Sequence, residues 1–369
     1  MTTLTIDALC ADAQVLVTCG TGGVGKTSVA AALGVRAAQL GRRVCVITID
    51  PAKRLADAIG LTNDLGNEPQ QVITDSIGEL WVTMLDVQET FDSLVRDTSP
   101  TPERAKEVMD NSFYRSLSRS LSGTRDYMAA ERLYDLCEDE RFDVIIVDTP
   151  PSRNALDFLE SPERLARFLK HPIVKFLVAP SRGGFRLVNA AMQPVFKAIS
   201  TVVGGDTLTG TAAFLRAFDG MEEEFSRRAL VVADTLRSSA SSFVIVTAPS
   251  PDALTEANHF VSELSRLGIT LKLIVANRMP PHFGTLTAAE EHSVAQSQSG
   301  DLARVHELIA GLHDDADRAD SDIQAFIQRT SVAFPSVSIA FATELSTDIH
   351  DMDSISALAQ QLAAPPTRQ

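Results

Sequence analysis

One octapeptide constrains this 369-residue chain more than any other stretch: Gly20-Thr21-Gly22-Gly23-Val24-Gly25-Lys26-Thr27, inside LVTCGTGGVGKTSVAAAL. It fits GxxxxGK[ST], in which glycines let the chain turn so that successive backbone N–H groups point into one concavity. An apolar run, VLVTC at 15–19, precedes the loop, and an alanine-rich helical pattern from Lys26 to Leu40 follows it. The segment therefore predicts a strand, a phosphate-cradling loop and a helix whose positive dipole end faces the anion. Lys26 is expected to reach the β/γ-phosphates and Thr27 to ligate Mg²⁺ through its hydroxyl, with Gly20 through Ser28 as the nucleotide-binding set.

Such a loop needs a parallel sheet behind it, and the chain supplies the strands. RVCVITID (43–50), LWVTMLD (80–86), FDVIIVD (142–148), FVIVTA (243–248), LKLIVAN (271–277) and SVSIAF (336–341) are continuous, β-branched apolar runs of the kind covered on both faces. Helical patterns separate them, among them Asp252–Leu267 and Asp301–Gln328. The expected fold class is α/β, a mostly parallel sheet flanked by helices, in a single phosphate-loop domain spanning 1–369. Two stretches exceed what a crossover needs: 87–140, helical in pattern with breaks at Ser99-Pro100 and Ser122-Gly123, and 155–235. The second carries 8 of the 17 phenylalanines, from Phe158 to Phe225, which suggests a helical subdomain with its own apolar surface. Those rings are either that subdomain's core or a surface for a partner. Residues 284–300 read as a surface loop or weak helix, and the PPTRQ tail as frayed.

Two carboxylates stand where open parallel sheets place their chemistry, at strand C-terminal ends. In ITIDPAKRLADAIG, Asp50 can orient or deprotonate an attacking water, with Lys53 and Arg54 in the same loop. Asp before Pro-Ala is also a helix-capping signal, and the two roles are compatible. In IIVDTPPSRNALDFL, Asp148 holds the position of a carboxylate that binds Mg²⁺ through water. Thr149, Pro150 and Pro151, followed by Ser152, form a candidate γ-phosphate sensor.

The formal net charge of −15 argues against a partner that is nucleic acid, because the field of the whole protein repels a polyanion. It leaves room for a small anion in a pocket of N–H groups. Cys10, Cys19, Cys45 and Cys137 lie far apart and make no CxxC pair, so neither a disulfide framework nor a sequence-local zinc site is expected. Without a run of 18 apolar residues or a basic, apolar leader in MTTLTIDALCADAQ, neither a membrane-spanning helix nor a signal peptide is expected, and the location is expected to be cytoplasmic. A dehydrogenase is disfavoured, since Lys-Thr at the helix start is phosphate-and-magnesium chemistry. An iron–sulfur relative lacks suitably placed cysteines.

GGVGKT, DPAKRLAD and VDTPPSRNALDFL together resemble the arsenical-pump ATPase family, whose eukaryotic members target tail-anchored membrane proteins. The likeness runs from the phosphate loop to FATELSTDIHDMDSI and is nearest to the actinobacterial branch, where two related ATPases can pair. The resemblance implies a deviant-Walker fold, a dimer around two ATPs, and ATP-driven opening and closing that hides or exposes a helical client surface. By motif position it makes Asp50 the hydrolytic switch residue and Asp148 the Mg²⁺-side carboxylate. It puts Asn277 on the adenine, with 341–343 nearby. The chain departs from the family in lacking the CxxC of the zinc-clasped dimers and the cysteine set of an arsenite site. It also departs at Thr21, where the family's lysine reaches across the dimer to the other subunit's nucleotide. A cation supplied in trans can accelerate phosphoryl transfer by about 10³–10⁵. Threonine at 21 is either tolerated in a slow ATPase or marks a heterodimer completed by a lysine-bearing paralogue. Three functions follow: a nucleotide-gated ATPase handling a hydrophobic client, an ATPase regulating or energising a membrane transporter (peripheral at the membrane through that partner), and a nucleotide-binding scaffold subunit.

Overall fold

The computed structural model describes residues 5–50, 52, 54–61, 65–72, 77–111, 114, 124–150, 221–281, 300–345 and 347–365. Its eight strands are β1 (Val15–Cys19), β2 (Arg43–Thr48), β3 (Gln70–Val72), β4 (Glu79–Met84), β5 (Val144–Asp148), β6 (Ser241–Thr247), β7 (Leu271–Met279) and β8 (Ser338–Thr343). They form one sheet in the order β3-β4-β2-β5-β1-β6-β7-β8. Every pair is parallel except β3 with β4. The chain builds one half of the sheet on one side of β1 and the other half on the other, so the order reverses at β1, where such sheets open a crevice at the strand ends.

The apolar runs are continuous because both faces are covered. Val15 and Val17 of β1 join one core and Leu16 the other, and all three are fully buried. One face packs against α1 (Ile6–Asp12), α2 (Lys26–Gln39), α3 (Arg54–Ile59) and α10 (Met352–Ala363). The other carries α4 (Val87–Thr98), α5 (Pro102–Met109), α6 (Thr124–Glu138), α7 (Glu222–Arg237), α8 (Pro251–Arg266) and α9 (Gly300–Ala333). Helix ends follow their local chemistry. Asp86 caps α4 by accepting from the Glu89 N–H, and Thr101 caps α5 just ahead of Pro102. No helix among the described residues is long and apolar enough to cross a membrane.

The seven predicted strands are present within a residue or two of their expected limits. The eighth, β3, was not predicted: three residues of a polar edge strand, paired antiparallel to β4, give no apolar run to detect. Helices α1 and α10 were likewise unforeseen, and α9 begins at Gly300 and runs five residues past its expected end. The 87–140 region holds α4, α5 and α6, with the first break where Ser99-Pro100 places it. The second break at Ser122-Gly123, the stretch 284–299, and 155–235 up to residue 220 lie outside the described residues.

Candidate nucleotide-binding site

Parallel register brings the predicted residues to one edge. Thr18 of β1 and Thr48 of β2 both align with Asp148 at the end of β5, so three strand ends stand in a row. The loop between β1 and α2 needs its glycines individually. Gly20 has φ +152 and a Cβ there would sit 2.2 Å from the Val246 carbonyl oxygen. Gly25, the N-cap of α2, has φ +88, and its Cβ would lie 2.4 Å from the Asn277 amide nitrogen. Both are places where only glycine fits. Gly22 and Gly23 lie exposed on the rim, Thr21 is half-buried beside them, and Val24 is packed inward.

Lys26 is buried, and burial pulls its pKa down while Asp148 and Asp50 pull it up. Its ammonium donates to the Thr21 carbonyl at 2.8 Å, so the backbone of residue 21 faces the loop's own lysine. Thr27 donates through Oγ1 to Asp148 Oδ2 at 2.8 Å, and Thr48 donates to the same oxygen at 3.0 Å. Asp148 is fully buried, which pushes its carboxyl up to about 6 despite those two hydrogen bonds and Lys26. Its other oxygen, Oδ1, is buried with no hydrogen-bond partner among the described residues. An orphaned carboxylate oxygen beside a threonine hydroxyl suits a hard, oxygen-seeking cation such as Mg²⁺. Thr149 donates to the Thr18 carbonyl at 2.7 Å and is buried, which ties the candidate sensor segment to β1. Pro150 is half-buried beside it. Pro151, Ser152, Pro51 and Lys53 lie outside the described residues.

Asp50 sits two residues beyond β2, only 7% exposed. Its Oδ1 accepts from the Ala52 N–H at 3.0 Å, and its Oδ2 lies 3.4 Å from the Arg54 guanidinium. The capping role anticipated for Asp50 is thus a turn within the loop ahead of α3 rather than the helix cap itself. Its charge is close enough to help raise the Asp148 carboxyl and the Lys26 ammonium.

Asn277 is buried against the phosphate loop and donates Nδ2–H to the Val24 carbonyl at 2.8 Å. That bond fixes the amide and leaves Oδ1 as the free acceptor. A cleft of about 230 Å³ opens from Gly25 and Ser28 to Asn277, Arg278, Thr343, Glu344 and Asp348. Sequence reasoning found Asn277 but missed Thr48, whose place two residues before Asp50 in ITID was a usable signal. It also missed Arg278, Glu344 and Asp348, for which there was none. Cys10, Cys19 and Cys45 are buried in three separate elements, and Cys137 is exposed on α6.

Residues 13–307 match the family described as anion-transporting ATPase. Among related proteins, "ATPase GET3" of Malassezia globosa is 24% identical over 264 residues, 71% of this chain and 72% of that protein. "ATPase ASNA1 homolog" of Entamoeba dispar is 24% identical over 269 residues, covering 71% and 75%. "Arsenical pump-driving ATPase" of Escherichia coli is 30% identical over 158 residues, 41% of this chain and 26% of that protein. A family match across four-fifths of the chain, on a parallel sheet with a glycine-built phosphate loop at its reversal point, makes this chain a member of the anion-transporting ATPase family and an ATPase.

Proposed function

We propose that the chain hydrolyses Mg-ATP with the residues gathered at the ends of β1, β2 and β5. The observation that carries the reading is the pairing of Thr27 with Asp148, whose second oxygen is buried and unpartnered among the described residues. Thr27 would hold Mg²⁺ through its hydroxyl and Asp148 through water, and the ion would neutralise charge on the β/γ-phosphates. Lys26, held now by the Thr21 carbonyl, exchanges that acceptor for phosphate oxygens. Asp50 orients the attacking water and accepts its proton, while the Ala52 N–H keeps the carboxylate aimed. Asn277 accepts from the adenine amino group through Oδ1.

The chain works, on this reading, as one half of a heterodimer with a lysine-bearing paralogue. Nothing at position 21 supplies the charge in trans, while Gly22 and Gly23 expose the rim of the loop to a partner. ATP closes the pair and hydrolysis resets it, and the phenylalanine-rich insertion of the single phosphate-loop domain engages a hydrophobic client or a membrane protein. The setting is cytoplasmic, peripheral at the membrane through partners. A transporter-energising role draws support from the family's description and from the name of the bacterial relative.

Asp50→Asn separates an enzyme from a scaffold. It is expected to abolish phosphate release by the chain in its working pair while ATP still binds, read by calorimetry with Mg²⁺ present. Unchanged turnover in D50N would overturn the assignment of Asp50.

A further inference from the structure

Arg278 is the one non-glycine residue with a left-handed backbone among the described residues, at φ +54. The cause is a bulge. Ala276 pairs with Phe341 and Met279 with Thr343, so three steps along β7 match two along β8. Bulges of this kind favour glycine at the left-handed position and re-aim the strand's side chains. Here the extra residue buries Asn277 toward the phosphate loop and Met279 into the core, and leaves Arg278 exposed in the cleft between them. Glu344 and Asp348 line the same cleft, yet Arg278 has no ion pair or hydrogen bond among the described residues. An unpaired guanidinium in a chain of net charge −15, on a backbone that disfavours arginine, calls for a ligand.

The position says which part of the ligand. The triphosphate belongs at Lys26, whereas the cleft meets the loop and its helix only at Gly25 and Ser28 and is otherwise lined by residues at the ends of β7 and β8 and after β8. Its 230 Å³ is below the roughly 300–1,000 Å³ of a whole drug-sized ligand site and suits one planar ring system. With Asn277 fixed at the ring's edge, the group left to meet a ring face is planar and cationic, which is how arginine stacks on aromatic systems.

Resting on the ATP reading above, we propose that Arg278 is a base-positioning residue that stacks its guanidinium on the purine of the bound nucleotide. The test uses the full chain with Mg²⁺ and two probes, ATP and inorganic tripolyphosphate, which carries the phosphates without the base. Arg278→Ala and Arg278→Gly are expected to weaken ATP binding about 5- to 30-fold, the span from an exposed to a desolvated cation–π contact. Tripolyphosphate binding should be unchanged. Arg278→Lys keeps the charge without the plane and should recover little of the loss. R278G accepts the left-handed backbone and guards against misfolding, so it should melt no lower than the native chain. Equal ATP affinity in all variants overturns this proposal alone, as does an equal loss for both probes. A native chain that binds neither probe overturns the ATP reading with it.

Discussion

Asp148 is the most costly residue of the site to fold. Its carboxylate is fully buried, one oxygen takes hydrogen bonds from Thr27 and Thr48, and the other takes none among the described residues. Burial raises the folded carboxyl to about 6, so the native state holds the proton more tightly than the unfolded chain. The sign follows from linkage: Asp148 costs nothing at low pH, and stability falls as pH rises from the ordinary carboxylate range through about 6. Asp148→Asn should therefore stabilise the metal-free protein by about 1–3 kcal/mol at pH 8 and leave it nearly unchanged at pH 4. Urea unfolding in chelator at the two pH values measures this. A variant less stable than the native chain at pH 8 would mean that the two threonines repay the burial.

Between helices the same tension recurs on a larger scale. Arg228 of α7 faces four carboxylates: Glu131 at 2.7 Å, Glu224 at 3.2 Å, Asp135 at 3.5 Å and Asp97 at 3.9 Å, so one cation joins α4, α6 and α7. Glu131 is almost wholly buried, and burial lifts its carboxyl to about 7 even against Arg228, whose own pKa the cluster raises. The two shifts pull opposite ways on one pair, and burial dominates at Glu131, where the side chain is 1% exposed against 12% for Arg228. Removing the cation leaves four carboxylates crowded together, while removing one carboxylate leaves Arg228 three. Arg228→Met should cost about 3–5 kcal/mol, whereas Glu131→Gln, which removes a carboxylate that burial penalises, should leave stability at pH 8 unchanged or slightly raised. Because the Glu131 penalty sets in as pH rises to about 7, E131Q should also flatten the stability profile between pH 5 and 7. Equal losses in the two variants would show that the ion pair, and not the cation alone, holds these helices. Apart from the i,i+4 spacing of Glu224 and Arg228, this cluster was not legible in the sequence, since Glu131 and Arg228 are 97 residues apart. What could be read was local. β1 and α2 announced themselves through an apolar run, four glycines and a lysine, and β5 through VIIVD. The edge strand β3 and the bulge at Arg278 depend on register between strands, which no window of residues records.

At the scale of the whole molecule the open question is what completes the site, and Thr21 frames it. The loop buries Lys26 and supplies Thr27, but its rim at 21–23 is glycine and threonine, without charge. In a homodimer of this chain neither nucleotide receives a cation from across the interface. In a pair with a lysine-bearing partner, this chain's ATP receives one and the partner's does not. Thr21→Lys converts the first case into a symmetric, complete pair. The side chain is half-buried at the loop rim, and residue 21 meets Lys26 only through its backbone carbonyl, so a longer side chain leaves that contact in place. The isolated T21K chain should then hydrolyse ATP at least ten-fold faster than the native chain, a modest share of the ~10³–10⁵ that a cation in trans supplies. The gain should grow with protein concentration, because only the dimer carries the new contact. Phosphate release measured across a dilution series tests both points. A native chain that already turns over quickly alone, or a T21K rate per chain that does not change with dilution, would remove the reason for a partner.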